Sequence, residues 1–185
     1  RRAGARPGDL VAVSGRPGRA GAGLRLARAL GGAVRAAEWA PLLQAWLEPE
    51  ARVGLALALR EAGAVTAAID VSDGFAGDLG HLCEAGGVGV EVEEAAWPGD
   101  EALERAAAAL GVEVRALRFG PSDDYELLLA LDPAGRAAAE SAAAAAGVPL
   151  AVVGRFTAGP SRPALRGRDG VVVPLGGGGY EHGRA

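Results

Sequence analysis

The stretch AAIDVSDGFAGDLGHL, residues 67–82, decides how this chain is read. Three carboxylates, Asp70, Asp73 and Asp78, fall within nine residues, beside Ser72, Gly74 and Gly77. The apolar run of residues 65–71 predicts a strand. Ser72 predicts the N-cap of a helix that leaves through Gly86 and Gly87. A helix start offers free N–H groups and a positive dipole end, which suit a phosphate. Asp70 at the strand end and Asp73 in the first turn would both face that point. Two carboxylates beside a phosphate repel it, by about 4 kcal/mol per unit-charge pair at about 4 Å and an effective dielectric near 20. A divalent cation reverses the sign, and Mg²⁺ is usually held by one or two carboxylates with phosphate oxygens and water. The residues alone leave two readings open, a capped strand-to-helix turn or a Mg²⁺–phosphate site. Asp78 lies off the helical face of Asp73 and reads as a support behind the site or as structural.

Outward from this stretch, strands alternate with helices. Residues 9–15, 88–94, 125–131 and 149–157 read as strands, and residues 163–175 as a hairpin around Arg168–Asp169–Gly170. Helices are expected over residues 20–32, 40–47, from Pro49 to Gly63, 100–111 and 132–147, the last with Asp132 as N-cap and Pro133 at its first position. This alternation predicts an α+β fold, a mixed sheet layered with helices, as a single domain over residues 1–185. Residues 176–185, GGGGYEHGRA, read as a flexible tail.

Composition narrows the function classes. Half of the 185 residues are apolar, mostly alanine, and aromatics make up only 4%, so the core is expected to use Val, Leu, Ile and Ala in close packing. The net charge of −4 argues against a nucleic-acid surface, which would be basic and clustered. All 19 basic residues are arginine, which excludes Schiff-base and P-loop lysine chemistry. The single cysteine, Cys83, cannot pair within the chain, so a cytoplasmic setting is expected. No apolar run reaches membrane-spanning length. The first residues lack the apolar centre of a signal peptide. Methionine is absent, which suggests a fragment or a processed product.

Other motifs are less specific. Asp123, Asp124 and Glu126 cluster before a strand, which alone describes a solvated turn. Residues 15–23, GRPGRAGAG, are glycine-rich between strand and helix, but not in the G-x-G-x-x-G register. They read as a turn and helix start, with nucleotide contact left open. His81 and Cys83 do not share a helix face and read as structural; Trp39, Trp46 and Trp97 read as packing residues. Tyr180, on the tail beside His182, could close over a ring-bearing ligand.

The segments RRAGARPGDLVAVSG, IDVSDGFAGDLGHLCEAGGVGVEV, DDYELLLAL and the terminal GYEH resemble, in this order and spacing, the thiamine-monophosphate kinase family, within the wider superfamily of aminoimidazole ribonucleotide synthetase. The resemblance covers nearly the whole chain but only the C-terminal half of that family. It implies ATP-dependent phosphorylation of thiamine monophosphate to thiamine diphosphate, with Mg²⁺, by a cytoplasmic homodimer that binds neither nucleic acid nor membrane. It further implies Asp70 and Asp73 as metal ligands, Ser72 and Arg2 as nucleotide contacts, and Asp123 and Tyr180 as substrate contacts. It assigns no separate catalytic side chain, since such a protein mainly positions groups and neutralises charge. Pro121, Ser122, Asp123 and Gly183 depart from the family pattern, which puts substrate grip in question. The family's N-terminal domain is expected to lie outside this chain, leaving the isolated piece inactive. The alternatives are a non-catalytic binding or regulatory module, or another ATP-dependent synthetase of the superfamily.

Overall fold

Every expected strand forms, and all of them join one sheet. In the computed structural model, which describes residues 1–31, 34 and 37–176, the chain runs β1 (Leu10–Ser14), α1 (Arg19–Leu30), α2 (Ala40–Leu47), α3 (Val53–Ala62), β2 (Val65–Asp70), α4 (Phe75–Gly86), β3 (Gly89–Glu93), α5 (Glu101–Leu110), α6 (Val114–Arg118), β4 (Leu127–Leu131), α7 (Arg136–Ala145), β5 (Leu150–Thr157), β6 (Pro163–Arg166) and β7 (Val172–Pro174). The sheet order is β2-β4-β1-β5-β3-β6-β7. Only the β3–β6 pair is parallel, so the sheet is mixed and the fold is α+β.

The two-residue period of a strand explains why β1 and β4 read as continuous apolar runs. Val11, Val13, Leu128 and Ala130 face a core made with Phe75, Leu79 and Leu82 of α4. Leu10, Ala12, Leu129 and Leu131 face the other side, onto Leu55 and Leu59 of α3 and Ala139 and Ala143 of α7. Both sheet faces are therefore covered. A third cluster joins Leu26 of α1, Leu42 of α2, Leu103 of α5 and Leu117 of α6. Each such fully buried leucine contributes about 1.5–3 kcal/mol relative to an exposed one.

Three local expectations are corrected. The third helix starts at Val53, not at Pro49. Residues 48–52 instead form a loop that carries the Arg52 guanidinium onto Glu126, with Nε–Oε2 at 2.8 Å and Nη2–Oε1 at 2.7 Å. Tertiary pairing there overrides the proline signal. The helix after β2 starts at Phe75, and Ser72 is not its N-cap. Gly74, with φ of 107°, breaks the helical path, and an added Cβ there would collide with the Gly120 carbonyl. Asp132 does cap, accepting from the Ala134 N–H at 2.9 Å, but it opens a 3-10 turn before α7. The short α6, to which the sequence reading assigned no element, supplies an inward contact through Leu117. Gly32 and the tail from residue 177, with Tyr180, His182 and Gly183, lie outside the described residues.

Candidate functional site

The site is built where two loops are stitched together. The Val71 N–H donates to the Glu126 carbonyl, and the Tyr125 N–H donates to the Val71 carbonyl, both at 2.8 Å. Phe75 at the start of α4 packs edge-on against Trp97 at 4.7 Å and tilted against Phe119 at 5.8 Å. These aromatic contacts pin the Ser72–Asp73–Gly74 turn against the loop that follows α6.

Asp78 completes the turn from within the helix. Its side chain is 1% exposed, and one oxygen, Oδ2, accepts both the Ser72 N–H and the Asp73 N–H at 3.0 Å. Burial raises the Asp78 carboxyl above the ordinary carboxylate range, and the two N–H groups only partly oppose that. Two backbone donors that a sequence reader would offer to a phosphate are thus already used. The Ser72 hydroxyl and the Asp73 carboxylate, both half-buried, are the groups left to meet a ligand. His81, read from the sequence as lacking a partner at ligand spacing, is nearer than expected. One ring nitrogen lies within 4.8 Å of carboxylate oxygens of both Asp73 and Asp78, while the ring also approaches Glu84 at 3.8 Å. Asp70 is exposed at the end of β2 and stands outside that group. Cys83 is fully buried, its thiol pushed up to about 12 by burial, so its structural reading holds. Trp39 and Trp97 are buried as packing residues.

The second loop alternates in and out. Ser122, Asp124 and Glu126 are buried, while Pro121, Asp123 and Tyr125 are exposed. The solvated-turn reading therefore holds for Asp123 and fails for Asp124 and Glu126. Asp124 accepts the Gly18 N–H at 2.6 Å and the Ala20 N–H at 3.0 Å, and the Ser122 hydroxyl accepts the Gly21 N–H at 2.8 Å. These bonds cap α1 from a distant segment, so the glycine-rich residues 15–23 have those three amides engaged by the protein itself. Burial raises the Asp124 carboxyl, against the Gly18 and Ala20 amides. Glu126 takes Arg52 and also accepts from the Ser14 hydroxyl at 2.5 Å. A second cavity of about 560 Å³, lined by Arg16, Arg19, Arg52 and Glu126, lies beside this network.

Ser72, Asp73 and Asp123, three residues singled out separately in the sequence, line one cavity of about 590 Å³. Its other wall is α1, through Leu24, Arg25 and Arg28. Asp70 and Arg2 do not line it. Arg2 is exposed, in the N-terminal segment beside β2, next to Arg1, whose carbonyl accepts from the Ala68 N–H at 2.9 Å. The exposure of Asp123 agrees with the solvated-turn reading, whereas the burial of Ser122, Asp124 and Glu126 beside exposed Pro121 and Tyr125 runs against their polarity and had no local sequence signal.

Comparison with known proteins places this geometry. Residues 6–163 match the family described as AIR synthase related protein, C-terminal domain. A thiamine-monophosphate kinase of Escherichia coli is 35% identical over 183 residues, a match covering 98% of this chain and 54% of the relative. The crystal structure of thiamine-monophosphate kinase from Stenotrophomonas maltophilia superposes with a TM-score of 0.77 at 32% identity, over 91% of this chain and 52% of that one. The structure of AaThiL complexed with AMPPCP and TMP superposes with a TM-score of 0.79 at 26% identity, over 98% and 53%. The chain thus spans about half the length of the relatives it matches. Among the described residues no helix is long and apolar enough to cross a membrane. With its sheet, its stitched loops and the match over residues 6–163, the chain belongs to the AIR synthase related protein C-terminal domain family.

Proposed function

We propose that the full-length protein containing this chain transfers the γ-phosphoryl group of ATP to thiamine monophosphate, giving thiamine diphosphate, and that this chain is its C-terminal domain. The observation that carries the reading is the convergence of Ser72, Asp73 and Asp123 on one cavity. The thiamine-monophosphate kinase relatives, and the relative bound to AMPPCP and TMP, support the choice of reaction.

The donor set suits Mg²⁺: Asp70 and Asp73 offer hard carboxylate oxygens, and their turn carries no thiolate. When bound, Mg²⁺ would neutralise charge on the phosphate oxygens. Asp73 would hold such an ion at the cavity wall, and Asp70, outside the cavity at the end of β2, would hold one there. Asp78 fixes the turn through the Ser72 and Asp73 amides, so the Asp73 carboxylate and Ser72 hydroxyl are presented rather than free to swing. The Ser72 hydroxyl would donate to an ATP phosphate oxygen, and Arg2 would contact the nucleotide from beside β2. Asp123 and Tyr180 would contact the thiamine-bearing substrate. Phosphoryl transfer needs positioning and charge neutralisation more than acid–base chemistry, and these residues would supply this chain's share of both to the whole protein. A cytoplasmic homodimer is the proposed state of the whole protein.

The test is product analysis with the full-length protein, ATP and Mg²⁺, offering thiamine monophosphate and, in parallel, selenide and the open-chain precursor of aminoimidazole ribonucleotide. Thiamine diphosphate from the first mixture alone supports the reading. Product from another acceptor identifies a different synthetase of the superfamily, and no turnover with any acceptor favours a binding module.

A further inference from the structure

The α1 wall of the candidate site carries two arginines that the fold does not use. Arg25 and Arg28 are three residues apart, so they share one helix face, and both line the 590 Å³ cavity opposite Ser72, Asp73 and Asp123. Among the described residues neither has an ion-pair or hydrogen-bond partner. The arginines of the neighbouring 560 Å³ cavity differ. Arg16 donates to the Gly99 carbonyl at 2.6 Å, Arg19 pairs with Asp100 at 2.7 Å, and Arg52 pairs with Glu126 at 2.7 Å. Those three serve structure, whereas Arg25 and Arg28 are available.

We propose that Arg25 and Arg28 form an anion subsite that takes the phosphoryl group of a phosphorylated substrate. Arg25 is half-buried, and its guanidinium reaches the Gly120 backbone, with Nη2 3.4 Å from where a Cβ on that glycine would stand. A half-buried guanidinium beside that backbone, on a residue that lines the cavity, has less freedom to lose when it grips a planar or tetrahedral oxyanion. Arg28, one turn on and more exposed, reaches the same space from the rim. The two carboxylates across the cavity, Asp73 and Asp123, balance the two guanidiniums in formal charge. A ligand that adds its own cation beside Asp73 and its own anion beside the arginines satisfies both walls. A phosphate monoester or polyphosphate that arrives with a bound metal ion or an attached cationic group does this, and an uncharged ligand does not. The subsite rests on the function proposed above, since both phosphorylated ligands of that reaction carry the required group.

The experiment is titration calorimetry on the full-length protein and its Arg25→Gln/Arg28→Gln variant, with thiamine monophosphate, AMPPCP, thiamine and tripolyphosphate in separate runs. Arg60→Gln/Arg168→Gln, at two exposed arginines outside the cavity, controls for the loss of two positive charges. Loss of charge-assisted bonds predicts a dissociation constant roughly tenfold or more higher for at least one phosphorylated ligand, with thiamine unchanged. Which ligand weakens identifies the phosphate that the arginines hold. Arg25→Lys/Arg28→Lys keeps the charge and loses the fork, so it should fall between wild type and the Arg25→Gln/Arg28→Gln variant. Phosphorylated ligands that bind the Arg25→Gln/Arg28→Gln variant as tightly as they bind Arg60→Gln/Arg168→Gln overturn the subsite while leaving the reaction intact. If wild type binds neither thiamine monophosphate nor AMPPCP, the proposed reaction falls and tripolyphosphate decides the subsite. Tripolyphosphate binding that is lost in the Arg25→Gln/Arg28→Gln variant then supports the subsite, and its absence or indifference overturns it.

Discussion

Asp78 is the residue whose removal the structure predicts most sharply. Its carboxylate is 1% exposed and accepts two backbone N–H groups, each at 3.0 Å. Asp78→Ala removes both acceptors at once. Hydrogen bonds to charged groups contribute about 1.5–3 kcal/mol each, so two would suggest up to about 6. Two effects reduce that figure. Ser72 and Asp73 are only half-buried, so water can reach their amides, and the alanine variant is spared the cost of desolvating a carboxylate. The expected loss is about 2–4 kcal/mol, or roughly 5–15 °C in Tm for a chain of this size. Asp78→Asn keeps a neutral acceptor in place and should lose about half as much. Urea unfolding followed by far-UV circular dichroism measures both. Asp78→Ala within about 0.5 kcal/mol of wild type would refute the reasoning, because the turn would then not depend on its internal acceptor.

Further predictions follow from the same contacts. Gly74→Ala must place a side chain at φ of 107° and into the Gly120 carbonyl, so it should destabilise by about 2 kcal/mol or more in the same unfolding assay. Burial alone would raise the Asp100 carboxyl, but the Arg19 bond and charge, with the Leu103 amide, hold it below the ordinary value. A depressed carboxylate contributes stability above its unfolded pKa of about 3.9 and loses it as pH falls through the lower folded value, so Arg19→Met should flatten the acid limb of stability below about pH 4. Arg118 is 4% exposed, its Nε has no partner among the described residues, and its nearest carboxylate, Glu104, is 3.5 Å away. Arg118→Met should therefore leave thermal stability unchanged or raise it by about 1 kcal/mol, as calorimetry would show.

The sheet was legible because its central strands are apolar on both faces and bounded by turn residues. Residues 127–131 and 10–14 show no alternation, and covered faces on both sides account for it. Helix starts were less legible where a distant partner does the capping. Ser72 looked like an N-cap by local rule, yet Asp78 supplies the acceptor from inside the helix. Asp124 and Ser122 cap α1 across about a hundred residues of sequence, which no local pattern announces. Asp124 and Glu126 looked solvated because charge clusters usually are, and only the tertiary amides and Arg52 reverse that. Of the residues that line the candidate cavity, Ser72, Asp73 and Asp123 were singled out from the sequence. Arg25 and Arg28 were not, because an arginine on a helix reads as solvated until the opposite wall is known.

The most direct test of the account is a single-turnover chase with γ-labelled ATP, thiamine monophosphate and Mg²⁺, using the full-length protein and its Asp73→Asn variant. The account predicts label in thiamine diphosphate for wild type, dependence on Mg²⁺, and a transfer rate at least about a hundredfold lower for the variant, as expected for lost electrostatic stabilisation of the transferring group. Label that reaches thiamine diphosphate equally fast in the variant, or never reaches it in wild type, would contradict it.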